Sequence, residues 1–176
     1  MKEKRKNENW VVVVCNFILD FFYEISKIKV MERMPLRILV IDDEEGVLSL
    51  LKFKLKRFGH EVITANNGID GIRKARKLEP DLILLDLVMP VMSGFRVCEL
   101  LKSYNKTKDI PIFIFTALDR LEDVERAYEK GADDYIVKPF EVVTINNTIE
   151  TKFNEFMEKV EYKSTFLEKP KETSEE

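Results

Sequence analysis

Four short stretches of this chain end on groups able to do chemistry. Asp86 closes the apolar run Leu82-Ile83-Leu84-Leu85, and Asp42-Asp43 comes directly after Arg37-Ile38-Leu39-Val40-Ile41. Thr116 comes after the run Ile110 to Phe115, and Lys138-Pro139 after Tyr135-Ile136-Val137. If the three carboxylates met, they would repel strongly. Two unit charges about 4 Å apart cost roughly 4 kcal/mol at an effective dielectric near 20. Such a cluster raises its own pKa values or recruits a cation. An all-oxygen donor set with room for water favours Mg²⁺. Adjacent acids also cap helices, and Asp42-Asp43 taken alone reads that way. Lys138 alone would be a surface ion pair and Thr116 an ordinary strand threonine. Together at one edge they read differently. A carboxylate nucleophile, a divalent cation, an ammonium and a hydroxyl make a phosphoryl-transfer constellation. Lys138 would pair with Asp86 or with a phosphoryl group carried on it.

The elements that must position these groups alternate in type. Continuous apolar runs mark strands buried on both faces, as in parallel sheets covered by helices. Val47, Leu48, Leu51 and Leu55 recur at helical spacing, and Gly59 supplies a left-handed cap. Glu61 to Ala65 is a second strand. Ile69, Ile72, Ala75 and Leu78 mark a second helix, stopped before Pro80. Helices are further expected over Phe95 to Lys102 and Val124 to Lys130, the latter capped by Gly131. The stripe Ile145, Ile149, Phe153, Phe156, Val160 marks a last helix. Five strand–helix units predict an α/β fold, a doubly wound five-stranded parallel sheet. In such sheets ligands bind at the carboxyl ends of the strands, and four of the five strands here end there on a reactive or charged group.

Composition narrows the classes. The chain has 176 residues, 45% hydrophobic and 35% charged, enough for one packed domain with length left over. A net charge of −3 gives no electrostatic footprint for nucleic acid. Cys15 and Cys98 lack paired spacing, which fits a reducing cytoplasm. His60 is the one histidine, so no mechanism needing two imidazoles from this chain is available. Residues 1–34 lack the regular alternation that begins at Leu36 and are expected to lie outside the fold. Within them, residues 10–22 are apolar but too short to span a bilayer, leaving a surface helix on a membrane or partner as the alternative. The domain is expected over 35–158, and 159–176 as a charged, unstructured tail.

The sequence resembles the receiver domain of two-component response regulators, of the stand-alone CheY-like type. The resemblance rests on Ile41-Asp42-Asp43-Glu44, on Leu85-Asp86 through Met89-Pro90 to Gly94, on Phe115-Thr116-Ala117, and on Asp134-Tyr135-Ile136-Val137-Lys138-Pro139-Phe140. It covers roughly residues 35–158. It implies the flavodoxin-like strand order 2-1-3-4-5. It also implies that Asp86 accepts a phosphoryl group from a histidine kinase or histidine phosphotransfer protein. Asp43, Asp86 and the backbone carbonyl of Val88 would bind Mg²⁺, with Asp42 acting through water. Lys138 and Thr116 would hold phosphate oxygens, the Lys138–Pro139 bond would be cis, and Tyr135 would be an aromatic switch read by a downstream protein. Val88 and Leu118 occupy the family's two lifetime-tuning positions. Neither can orient an attacking water, so self-dephosphorylation is expected to be slow. Nucleic acid is not an expected partner, because the segment after the last helix is short and acidic.

Two other functions compete. A Mg²⁺-dependent phosphatase of the haloacid dehalogenase type also uses an Asp nucleophile, but it places a second acid two residues on, where this chain has Val88. A docking receiver that is never phosphorylated needs none of the five polar groups, yet all are present. In all readings but the phosphatase the chain is not an enzyme beyond slow self-catalysed phosphotransfer and dephosphorylation.

Overall fold

The computed structural model describes residues 35–166. The expectations for residues 1–34, the apolar segment 10–22 included, lie outside the described residues. Five strands, β1 (Arg37–Ile41), β2 (Glu61–Ala65), β3 (Leu82–Leu85), β4 (Ile112–Thr116) and β5 (Asp134–Val137), alternate with five helices. These are α1 (Glu45–Arg57), α2 (Gly68–Leu78), α3 (Gly94–Ser103), α4 (Leu121–Glu129) and α5 (Ile145–Phe166). All strand pairs are parallel, in the order β2-β1-β3-β4-β5. The fold is the doubly wound α/β sandwich expected of the alternation, in the flavodoxin-like strand order that the resemblance implies.

Strand alternation divides the core into two layers. Leu39, Ile41, Ile83, Leu85, Ile112 and Ile114 point to one side, where Ala75 of α2, Val97 and Leu101 of α3, and Ala127 of α4 cover them. Ile38, Val40, Leu82, Leu84, Phe113 and Phe115 point to the other, under Leu48, Leu51 and Leu55 of α1 and Ile145 and Ile149 of α5. Every residue of β3 is fully buried, which is why its sequence shows no polar alternation. His60 is part of this architecture. It accepts the Leu36 N–H on Nδ1 at 3.1 Å, and its Nε2 lies 3.0 Å from Asn146 Oδ1. The lone imidazole thus ties α5 to the amino-terminal edge of the sheet, away from the carboxyl edge.

Loop geometry sets the ends of the elements. Gly59 and Gly131 have φ of 95° and 94°, the left-handed backbone expected of helix caps. The Asn67 side chain accepts the Asp70 N–H at 2.8 Å and caps α2. Three boundaries differ from expectation by two residues or more. β4 starts at Ile112, because Pro111 has no N–H and joins the sheet only through its carbonyl, which accepts from Ile83 N–H at 3.0 Å. α4 starts at Leu121, three residues before Val124. Leu121 is exposed, so it carries no periodic signal, while Glu122 and Asp123 favour a helix N-terminus through the dipole. The expected tail at 159 is corrected, since α5 continues to Phe166. Glu, Lys and Met are good helix formers, and no Gly or Pro interrupts residues 140–169. Helix persists there without burial, all side chains of 157–165 being exposed.

Candidate functional site

Register brings the expected residues together. Ile41 pairs with Leu85 across β1 and β3, so Asp42 and Asp86 leave adjacent strands at the same level. The Asp86 N–H donates to the Ile41 carbonyl at 2.9 Å, and the Asp42 N–H to Ala65 at 3.1 Å. Thr116 pairs with Val137, and the Lys138 N–H donates to the Thr116 carbonyl at 2.7 Å. The Lys138–Pro139 peptide is cis.

Carboxylate oxygens of Asp42, Asp43 and Asp86 lie within 4.8 Å of one another. Asp42 and Asp86 are buried, while Asp43 is open to solvent. Lys138 Nζ sits 2.6 Å from Asp42 Oδ2 and 3.7 Å from Asp86 Oδ1. Its main contact is therefore Asp42, not the Asp86 pairing that the sequence invites. Its aliphatic stem is shielded, with Nζ 5.3 Å from the Phe115 ring centroid and Phe140 tilted against Phe115 at 4.7 Å. Asp42 is held further by the Glu44 N–H, which donates to its Oδ1 at 2.9 Å.

Burial raises the Asp86 carboxyl above its ordinary range, and the Asp42 charge adds to that. The Thr116 hydroxyl, the Lys138 ammonium and the Leu87 N–H pull it back down. Thr116 Oγ1 is itself buried without a well-formed hydrogen bond, so it acts on Asp86 as a nearby, poorly aligned dipole. A buried donor left in this way is costly and is satisfied when an acceptor oxygen arrives.

The donor set fits a hard divalent cation. Three clustered carboxylates face one ammonium, which leaves two negative charges uncompensated in a mostly buried pocket. All the side-chain donors are oxygens, and exposed Asp43 leaves a water-accessible side, which suits Mg²⁺ more than a thiolate-seeking metal. Val88 stands two residues past Asp86, in the loop between β3 and α3, and is 57% exposed.

Several residues named in the motifs contribute in ways that the sequence reading did not assign to them. A Cβ at Gly94 would overlap the Asp86 carbonyl oxygen and Leu87 Cα, so α3 starts against the site backbone only because that residue is glycine. Glu44 Oε1 lies 3.9 Å from Lys138 Nζ. Leu118 offers its carbonyl to the Tyr135 hydroxyl at 3.0 Å. Glycine after an apolar loop and acid after two acids were visible signals. The Leu118 carbonyl carried none, since any residue type supplies one. Tyr135 is half-buried, and burial with the charges of Asp123, Asp86 and Asp119 pushes its phenol up to about 12, so it stays a hydrogen-bond donor.

A parallel sheet with acids, hydroxyl and amine gathered at its carboxyl edge defines a flavodoxin-like fold with a polar pocket at the ends of its strands. The chain belongs to the response regulator receiver domain family, whose model matches residues 38–150. It is 44% identical over 109 residues to the DNA-binding dual master transcriptional regulator RpaA of a Synechocystis species, covering 62% of this chain and 45% of that protein. It is 42% identical over 113 residues to the alkaline phosphatase synthesis transcriptional regulatory protein PhoP of Bacillus subtilis, covering 64% and 46%. The chain thus spans about half the length of these relatives. Among solved structures, chemotaxis protein CheY4 of Vibrio cholerae superposes with a TM-score of 0.64 at 30% identity, covering 67% of this chain and 98% of that one. Among the described residues no helix is long and apolar enough to cross a membrane.

Proposed function

We propose that Asp86 is the phosphoacceptor of a two-component or phosphorelay pathway. The carrying observation is the convergence of Asp42, Asp43 and Asp86 beside Lys138 and the unsatisfied Thr116 hydroxyl. In the reaction an Asp86 carboxylate oxygen attacks the phosphorus of a phosphohistidine on a kinase or phosphotransfer protein. The P–N bond breaks, the imidazole nitrogen leaves with its electron pair, and the P–O bond of an acyl phosphate forms. Asp43, Asp86, the Val88 carbonyl and Asp42 through water would hold Mg²⁺, which offsets charge on the transferring oxygens. Lys138, already between Asp42 and Asp86, is positioned to take a phosphoryl oxygen. Thr116 donates its hydroxyl to another. The added charge of about −1.5 to −2 then draws Thr116 and, through Leu118, frees Tyr135 to change position.

The output in this reading is a surface around Tyr135 read by a protein partner in the cytoplasm, and the chain is a switch with slow self-catalysed chemistry, not a turnover enzyme. RpaA and PhoP carry transcription regulators' names, and RpaA is called DNA-binding. A transcriptional output is therefore a second reading, one in which the DNA contacts fall outside the matched region.

Incubation of the chain with acetyl phosphate and Mg²⁺, then mass spectrometry, tests the reading. A mass gain of one phosphoryl group, absent from Asp86→Asn, is the expected result. Continuous release of phosphate would indicate a phosphatase, and no adduct would leave a docking module.

A further inference from the structure

The carboxyl edge is not the only built surface. A groove of about 510 Å³ lies between α2 and the segment after α3. Its apolar lining comes from Ile69 and Ile72, with Ile69 59% exposed. The other groups lining it are Tyr104 and four cations, Arg73, Arg76, Lys77 and Lys106. The cations are not equivalent. Arg73 is held by Asp70 at 2.5 Å and Lys106 reaches Glu79 at 3.3 Å. Arg76 has no acidic partner among the described residues and lies flat on Tyr104, 4.0 Å from the ring centroid. Lys77 is exposed and likewise has no acidic partner among the described residues. The groove thus sets two cations without acidic partners beside an exposed isoleucine.

We infer that this groove is a docking site for an acidic, aliphatic peptide segment of a partner protein, with carboxylates on Arg76 and Lys77 and a branched side chain on Ile69 and Ile72. Charge complementarity selects the occupant. Nucleic acid fits less well. Single strands stack on open aromatic faces, and Arg76 already occupies one face of Tyr104, the one aromatic lining the groove. The groove makes no use of Asp86, Lys138 or Thr116. Stacking on Tyr104 fixes the Arg76 fork before a partner arrives, which lowers the entropy lost on binding.

A fluorescein-labelled peptide alternating glutamate with leucine serves as the probe, with a lysine–leucine peptide as the control. Fluorescence anisotropy and amide chemical shifts are monitored on the full chain, without Mg²⁺ or acetyl phosphate, so that a failure of phosphorylation leaves the result intact. The glutamate peptide binds, the lysine peptide does not, and binding weakens as salt rises. Shifts cluster on residues 69–77 and 104–106. Arg76→Glu with Lys77→Glu lowers affinity about tenfold. Lys77→Glu alone, at an exposed position, gives a smaller loss in the same direction and keeps the test valid if Arg76→Glu disturbs Tyr104. Unchanged affinity in these variants would overturn the assignment. So would shifts centred on the other cationic face, Lys52 to Arg57 of α1, or displacement of the peptide by a single-stranded oligonucleotide that binds the groove more tightly.

Discussion

Asp86 carries opposing demands. In the proposed transfer its carboxyl must be ionised to attack phosphorus, yet burial and the neighbouring Asp42 charge raise its pKa. A folded-state pKa above the unfolded value contributes stability at low pH, which is lost as pH rises through the folded value. At neutral pH without cation, ionised Asp86 therefore opposes folding. Asp86→Asn removes that charge and keeps the shape, so its melting temperature in EDTA is expected to exceed that of the parent by a few degrees. In Mg²⁺ the order narrows or reverses, because a ligand that binds only the folded state stabilises the protein carrying the full site. Equal melting temperatures in EDTA would show that the pocket is wetter than its geometry implies. Lifetime is argued at the same scale. Val88, two residues after Asp86 in the chain, carries only an apolar side chain, and Leu118 spends its carbonyl on Tyr135. Neither side chain can hold a water in line, so the acyl phosphate is expected to decay slowly in purified protein with Mg²⁺. A half-life of seconds would count against this.

At the scale of elements, the site depends on how closely α3 approaches β3. Gly94 permits that approach, and its N–H donates to the Leu87 carbonyl at 3.0 Å. Gly94→Ala forces the loop away from Asp86 and should cost about 1–3 kcal/mol, read by chemical denaturation, with slower phosphorylation. Strand identity was legible in the sequence because β3, β1 after Arg37 and β4 up to Thr116 are buried on both faces and so are apolar without a break. Three limits on legibility have physical causes. Leu121 opens α4 on its solvent side, where hydrophobic spacing has no meaning. α5 outlasts its apolar stripe because helix propensity persists after burial ends. The residue types of the site were readable, but the preference of Lys138 for Asp42 depends on rotamers and on the Phe115 wall, which no spacing rule reports.

For the whole molecule, the sheet separates tasks by edge. The amino-terminal edge is tied to α5 through His60, Leu36 and Asn146, and the carboxyl edge carries the three clustered acids and the Thr116 hydroxyl. A two-state switch requires that an added ligand bias one edge of the sheet without unfolding the core. Such a switch works only if Asp86, a divalent cation, Thr116 and Lys138 act on one ligand. Beryllofluoride with Mg²⁺, observed through amide chemical shifts, is the sharpest probe of that convergence. Shifts are expected at residues 86, 116 and 138; they extend to Leu118 and Tyr135, require Mg²⁺, and vanish in Asp86→Ala. Shifts that persist in Asp86→Ala, or that leave Thr116 and Lys138 untouched, would refute it.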